Sequence, residues 1–180
     1  DTVKPEMTAA QIQKCVDTFD KITFEGGTYQ DLALKLDGSK TFYTAQEAVF
    51  QSSDGKAFGL EVTGKNLVTL NIAGAFHITG YRDNIYLPDK ARLTIHIMED
   101  ASLRLTGARQ TEANHGNGIW AAYGTELTIT GTNGSSFAAD SNDMCGINVL
   151  GSSKASLDFK NSKSVSLSGN QASSGYHAGM

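Results

Sequence analysis

The 180-residue chain is short of several things, and each shortage closes off a class of protein. It has 2 cysteines, Cys15 and Cys145, too few for a disulfide scaffold and without metal-ligand spacing, so both are expected free and packed. Basic residues do not dominate: 15 Lys and Arg against 19 Asp and Glu give a net charge of −4. With no basic stripe to meet a phosphate backbone, nucleic acid is not expected as a partner. No apolar run approaches the roughly 20 residues that span a bilayer, so no membrane insertion is expected. A Gly-rich phosphate loop, HExxH, CxxC and a nucleophile elbow are all missing, and His77, His96, His115 and His177 are scattered.

What the chain does hold is 19 glycines beside only 2 prolines, many Ser, Thr and Asn, and 19% charged residues. That balance points to one β-rich domain with many turns. The chain opens on Asp1 with no initiator Met and no signal peptide, which reads as a mature product or an excised piece.

One stretch carries a helical signal. In "MTAAQIQKCVDTF", Thr8 followed by Gln11 forms a capping box, and Ile12, Cys15, Val16 and Phe19 follow at i, i+3, i+4 and i+7. Past residue 20 every apolar run is short, alternating and bounded by Gly, Asn, Asp or Ser, so strand and turn are expected throughout.

These runs repeat. Leu34, Leu60, Ile85, Ile119, Ile147 and Met180 open equivalent runs at steps of 26, 25, 34, 28 and 33 residues. Val68, Leu93, Leu127 and Leu157 form a second series, and Phe76, Leu103, Phe137 and Val165 a third. Three short strands per period in constant order predict a solenoid whose coils stack as three parallel sheets. An antiparallel sandwich also uses short strands and turns, but it predicts neither the constant order nor a lone N-terminal helix.

On this three-strand repeat, and on the opening "TAAQIQKCVDTFDKITFEGGTY", the chain resembles the pectate-lyase-like right-handed parallel β-helix proteins. The resemblance covers nearly the whole chain. It implies an all-β, right-handed parallel β-helix of three sheets and about five coils, with an N-terminal capping α-helix in segment 1–20 and the solenoid in 21–180. "SSGYHAGM" aligns with "NDMCGI", so the chain stops on the first core residue of a new coil, as a truncated longer solenoid would.

If Ile119 and Ala121 point inward, Trp120 points outward, and so do Tyr86 and Asn148 on the adjacent coils. The turns entering this sheet are polar: Arg82, Asp83 and Asn84, then Asn114, His115 and Asn117, then Asn142 and Asp143, then Tyr176 and His177. An aromatic strip beside hydrogen-bonding groups suits a sugar, whose C–H face stacks on a ring while its hydroxyls need partners. Two readings of Trp120 stand side by side, a ligand platform or an anchor for the 106–117 loop.

Catalytic signals are thin. Asp83, Asp140 and Asp143 are the nearest approach to a hydrolase's paired carboxylates, and as turn aspartates they are expected to be solvated. They are also where Ca²⁺ could sit, although no cofactor is required. Arg104 beside His77 could supply a lyase's base but reads as ordinary surface. The expected function is non-catalytic binding of a polysaccharide, host glycan or host protein by an adhesin-like segment of a bacterial surface or secreted protein. A polysaccharide lyase or glycoside hydrolase is the first alternative, a structural stalk the second.

Overall fold

The computed structural model describes residues 1–109 and 115–169, with the side chain of Ser141 excepted. Asn114, Tyr176, His177 and the Gly179–Met180 alignment lie outside the described residues, as does most of the tip of the 106–117 loop.

Three parallel sheets wind round one core. The seven-stranded sheet contains β1 (Thr2–Val3), β2 (Lys21–Phe24), β5 (Ser39–Thr44), β8 (Leu67–Ala73), β11 (Arg92–Ile97), β14 (Glu126–Gly131) and β17 (Lys154–Asp158). The six-stranded sheet contains β3 (Gly27–Gln30), β6 (Ala48–Gln51), β9 (Ala75–Thr79), β12 (Ser102–Thr106), β15 (Ser136–Asn142) and β18 (Ser164–Gly169). The five-stranded sheet contains β4 (Leu34–Leu36), β7 (Leu60–Val62), β10 (Ile85–Leu87), β13 (Ile119–Ala121) and β16 (Ile147–Val149). The chain visits the sheets in constant order, so β2 to β16 make five full coils of a parallel β-helix and β17 and β18 begin a sixth.

The repeat series read from the sequence are rows of register partners. Leu34, Leu60, Ile85, Ile119 and Ile147 stack one on the next. So do Phe76, Leu103, Phe137 and Val165. The second series holds for Val68, Leu93 and Leu127 but not for its last member: Leu157 stacks on Ile129, and Ala155 takes the place over Leu127. A slip of two residues leaves every side chain facing the same way, so alternation alone cannot detect it.

Coil rows fill the core with side chains of matched shape. Phe24, Phe42, Phe50, Phe76 and Tyr29 form an aromatic cluster in the first coils, with ring centroids 4.9–6.1 Å apart. Later coils are mainly aliphatic, with Ile85, Ile95, Leu105, Ile119 and Ile129 fully buried, and Phe137 adds one aromatic to the core there. Corners need small residues. At Gly74 φ is +105° and a Cβ would lie 2.1 Å from the Thr44 carbonyl oxygen, so no side chain fits there.

Helix α1 (Ala9–Thr18) starts at Thr8 with the capping box formed, and it lies against β2 and β4. Ile12 and Val16 are buried and join the core, with Cys15 packed against it. Phe19 departs from the expected stripe: it is the C-cap, extended at ψ 148°, and 43% exposed, because the helix has already ended. β1 precedes the helix and pairs in parallel with β2, burying Val3. It gives the first coil an edge strand only two residues long, too short to template pairing with another chain.

Two outcomes are expected from this packing. Ile12→Ala should lower stability by about 2–5 kcal/mol, the range for buried aliphatic truncation, as read by chemical denaturation. An unchanged midpoint would show that the helix does not seal the core. Cys15 and Cys145 are both free, so thiol titration of the unfolded, unreduced protein should find two thiols per chain.

Candidate functional site

The outward row of the five-stranded sheet runs Lys35, Glu61, Tyr86, Trp120 and Asn148. Strand alternation places it: the flanking core residues of each strand are buried inward, and Tyr86, Trp120 and Asn148 are half-buried on the outer face. The three residues expected to form one ladder are brought together.

The corner before this sheet is equally ordered. Gly59 N–H donates to the Asp83 carbonyl, Asn84 N–H to that of Asn117, and Gly118 N–H to that of Cys145. This backbone ladder stacks Phe58, Asp83, Asn117 and Cys145 in one row. Close approach is enforced by Gly118, where a Cβ would meet the Gly146 carbonyl oxygen at 2.4 Å.

Here the structure corrects the expectation that Asp83 is a solvated turn aspartate. Asp83, Asn117 and Asn142 are completely buried and His115 is nearly so. A buried carboxylate must be hydrogen-bonded to be tolerated, and Asp83 is. Its Oδ1 accepts from the Asn117 backbone N–H and from Asn117 Nδ2, both at 2.9 Å, and its Oδ2 lies 2.5 Å from His115 Nδ1. Burial pushes the Asp83 carboxyl above the ordinary carboxylate range, and these bonds work against that shift. On the far side of the ring, Arg82 Nη2 is 2.8 Å from His115 Nε2. Since Arg82 can only donate, Nε2 accepts and Nδ1 carries the proton: the network assigns a neutral imidazole in the Nδ1–H tautomer.

The same guanidinium sits 5.3 Å above the ring of Phe58. Phe58 stacks on Tyr86 at 4.1 Å and 23°, and Tyr86 lies against Trp120 at 5.2 Å and 34°. His115 meets Trp120 edge-on at 4.2 Å and 84°. The rings therefore cover one another's faces along the row. Among the described residues Trp120 is the last ring of the row, and its neighbour on the next coil is Asn148. The Trp120 indole N–H is buried and finds no acceptor among the described residues, an arrangement that costs about 1–3 kcal/mol. Burial, then the carboxylates of Asp89 and Glu61, raise the Tyr86 phenol, which stays a neutral donor.

Phe58 is the residue the sequence reading missed. It lies in the corner, where alternation says nothing of direction. The available signal was its offset: it precedes Leu60 as Asp83 precedes Ile85 and Asn117 precedes Ile119.

The remaining candidates are dispersed. Asn142 lies at a register shift in β15, its Nδ2 3.4 Å from the Leu105 carbonyl. Asp143 is half-buried in the turn before β16. Asp140 belongs to the six-stranded sheet, where Ser166 and Ser168 donate to it at 2.7 and 3.2 Å. Among the described residues no group of three or more His, Cys, Asp or Glu side chains converges as a metal site would require.

On the outer face of the six-stranded sheet, Arg104 and His77 are register partners. A groove of about 210 Å³ opens beside them, lined by Glu47, Ser102, Arg104, Ser136, Ser164 and Ser166 among others. His77 Nε2 lies 2.5 Å from Thr106 Oγ1. No protein-family model, curated protein or solved structure matches this chain.

Burial, and secondly Arg104, hold the His77 imidazole below its ordinary range. The fold thus prefers neutral His77, and its contribution to stability is present above the ordinary histidine range and lost as pH falls from there through the lowered native value. Arg104→Ala should move the His77 titration, followed by NMR of its ring proton, upward toward the usual value. An unmoved titration would leave burial as the sole cause.

Proposed function

We propose that this chain is a non-catalytic ligand-binding segment of a bacterial cell-surface or secreted protein, of the pectate-lyase-like β-helix type, whose ligand is a glycan. The observation that carries this reading is the half-exposed aromatic ladder of Phe58, Tyr86 and Trp120, ending at Asn148 on the outer face of the five-stranded sheet. A sugar ring lays its C–H face on an aromatic surface and needs donors and acceptors for its hydroxyls. Because Phe58 and Tyr86 cover each other, the contact falls at the Trp120 end of the row, where the Asn148 amide supplies both kinds of hydrogen-bonding group. A purely structural anchor would be served by Phe, which carries no N–H to leave unpaired.

A polysaccharide lyase or hydrolase is the second reading, and the Asp83–His115 contact favours it, since a carboxylate-oriented imidazole is general-base equipment. Against it stands His115 Nε2, the nitrogen that would take a proton, which already accepts from Arg82.

The test is Trp120→Ala against an array of polysaccharides and oligosaccharides. Binding should be lost while stability falls by about 1–2 kcal/mol, since only part of the ring is covered. A fall of about 3–5 kcal/mol, as for core aromatics, would make Trp120 a packing element. Release of unsaturated or reducing sugar ends from any bound polysaccharide would favour the enzyme.

A further inference from the structure

The contacts of His115 are compatible with only one of its charge states. Its ring joins three coils: Asp83 and Arg82 from the turn before β10, Phe58 from the turn before β7, and Trp120 from β13. Among the described residues, the charged groups facing the ring are Asp83 on the Nδ1 side and Arg82 on the Nε2 side. Asp83 is fully buried and fixed by Asn117, so it cannot turn away from Nδ1. Nδ1 must therefore keep a proton, and Nε2 must keep a lone pair for as long as Arg82 Nη2 stays at 2.8 Å.

A second proton on the ring would put N–H against N–H and cation against cation at that distance. Coulomb repulsion between two unit charges that close is only partly screened at a half-buried site. The buried Asp83 side has no room to give, whereas Arg82 is half-buried and its side chain has several rotatable bonds, so Arg82 is the group that moves. Its guanidinium would then leave both the imidazole and the ring of Phe58.

We propose that His115 is an acid-sensitive latch on the aromatic ladder: neutral, it clamps Arg82 over Phe58, and protonated, it expels Arg82 and remodels the exposed surface beside Tyr86 and Trp120. This is regulation of the surface to which ligand binding was assigned above. Its relevance to a ligand rests on that reading, but the latch itself does not.

The experiment uses the wild-type chain without ligand. Nitrogen–proton correlation NMR at neutral pH should show His115 as the Nδ1–H tautomer, and an Nε2–H tautomer would overturn the proposal. Trp120 is the only tryptophan and touches the His115 ring, so its fluorescence reads this contact directly. An imidazolium quenches an adjacent indole more than a neutral imidazole does. Emission should fall reversibly as the protein is acidified from neutral pH. In His115→Gln it should stay flat, and an equal fall in that variant would overturn the latch. Should His115→Gln fail to fold, the tautomer and the wild-type profile still decide, since a flat wild-type profile is equally fatal. A glycan array with no hits beside a pH-dependent emission would sink the ligand reading and leave the latch standing.

Discussion

The molecule depends on one constraint: parallel strands on successive coils must keep register, because the hydrogen bonds that join coils and the side chains that fill the core lie in the same rows. Ile119 bonds through its backbone to the Gly146 carbonyl while its side chain stacks between Ile85 and Ile147. Breaking the row at one place would expose both unpaired backbone and apolar surface, each costly on its own. The corners obey the same rule. Gly59, Gly118 and Gly74 stand where a neighbouring coil's backbone comes too close for a Cβ. Length variation is therefore taken up between strands, and the strands stay short.

This register also explains how polar groups come to be buried. The turn before the five-stranded sheet repeats on each coil, so a side chain there faces its counterpart one coil away and not water. Asp83 finds Asn117 above it through exactly the row that stacks their backbones, and His115 closes the pair from the side. A buried ion in an apolar setting would destabilise the fold. Here three hydrogen bonds offset the lost hydration, and the result fixes one tautomer and one position for Arg82.

The parts of this architecture that repeat were legible in the sequence, and the parts that occur once were not. Rows through Leu60, Ile85 and Ile119 showed themselves because apolar alternation and turn residues recur at each coil. The capping box at Thr8 was legible because its chemistry is local. β1 was not, since two residues carry no period. Leu157 falls two places from its true row because a two-residue slip preserves facing. Asp83 looks like a solvated turn aspartate because residue type tells of turn chemistry and nothing of what lies one coil away. Phe58 leaves no mark because a corner has no alternation to aim it.

Coil spacing finally limits what an aromatic row can offer. Adjacent strands lie about 4.8 Å apart, close to the distance at which rings stack, so aromatic residues in register on the outer face are driven to cover one another. Tyr86 and Trp120, the register pair, lie 5.2 Å apart with a 34° tilt, and Phe58 reaches over from the corner before β7 to stack on Tyr86 at 4.1 Å. Lengthening such a ladder adds exposed ring edges without adding free faces. The place where a planar ligand can gain aromatic contact is the interruption, where a ring is followed by a small polar side chain. On this sheet that interruption is Trp120 followed by Asn148, directly above the coil that holds Arg82 against His115. The fold thereby puts the end of the row and the Arg82–His115 contact within one coil of each other, so the two share one stretch of the outer face.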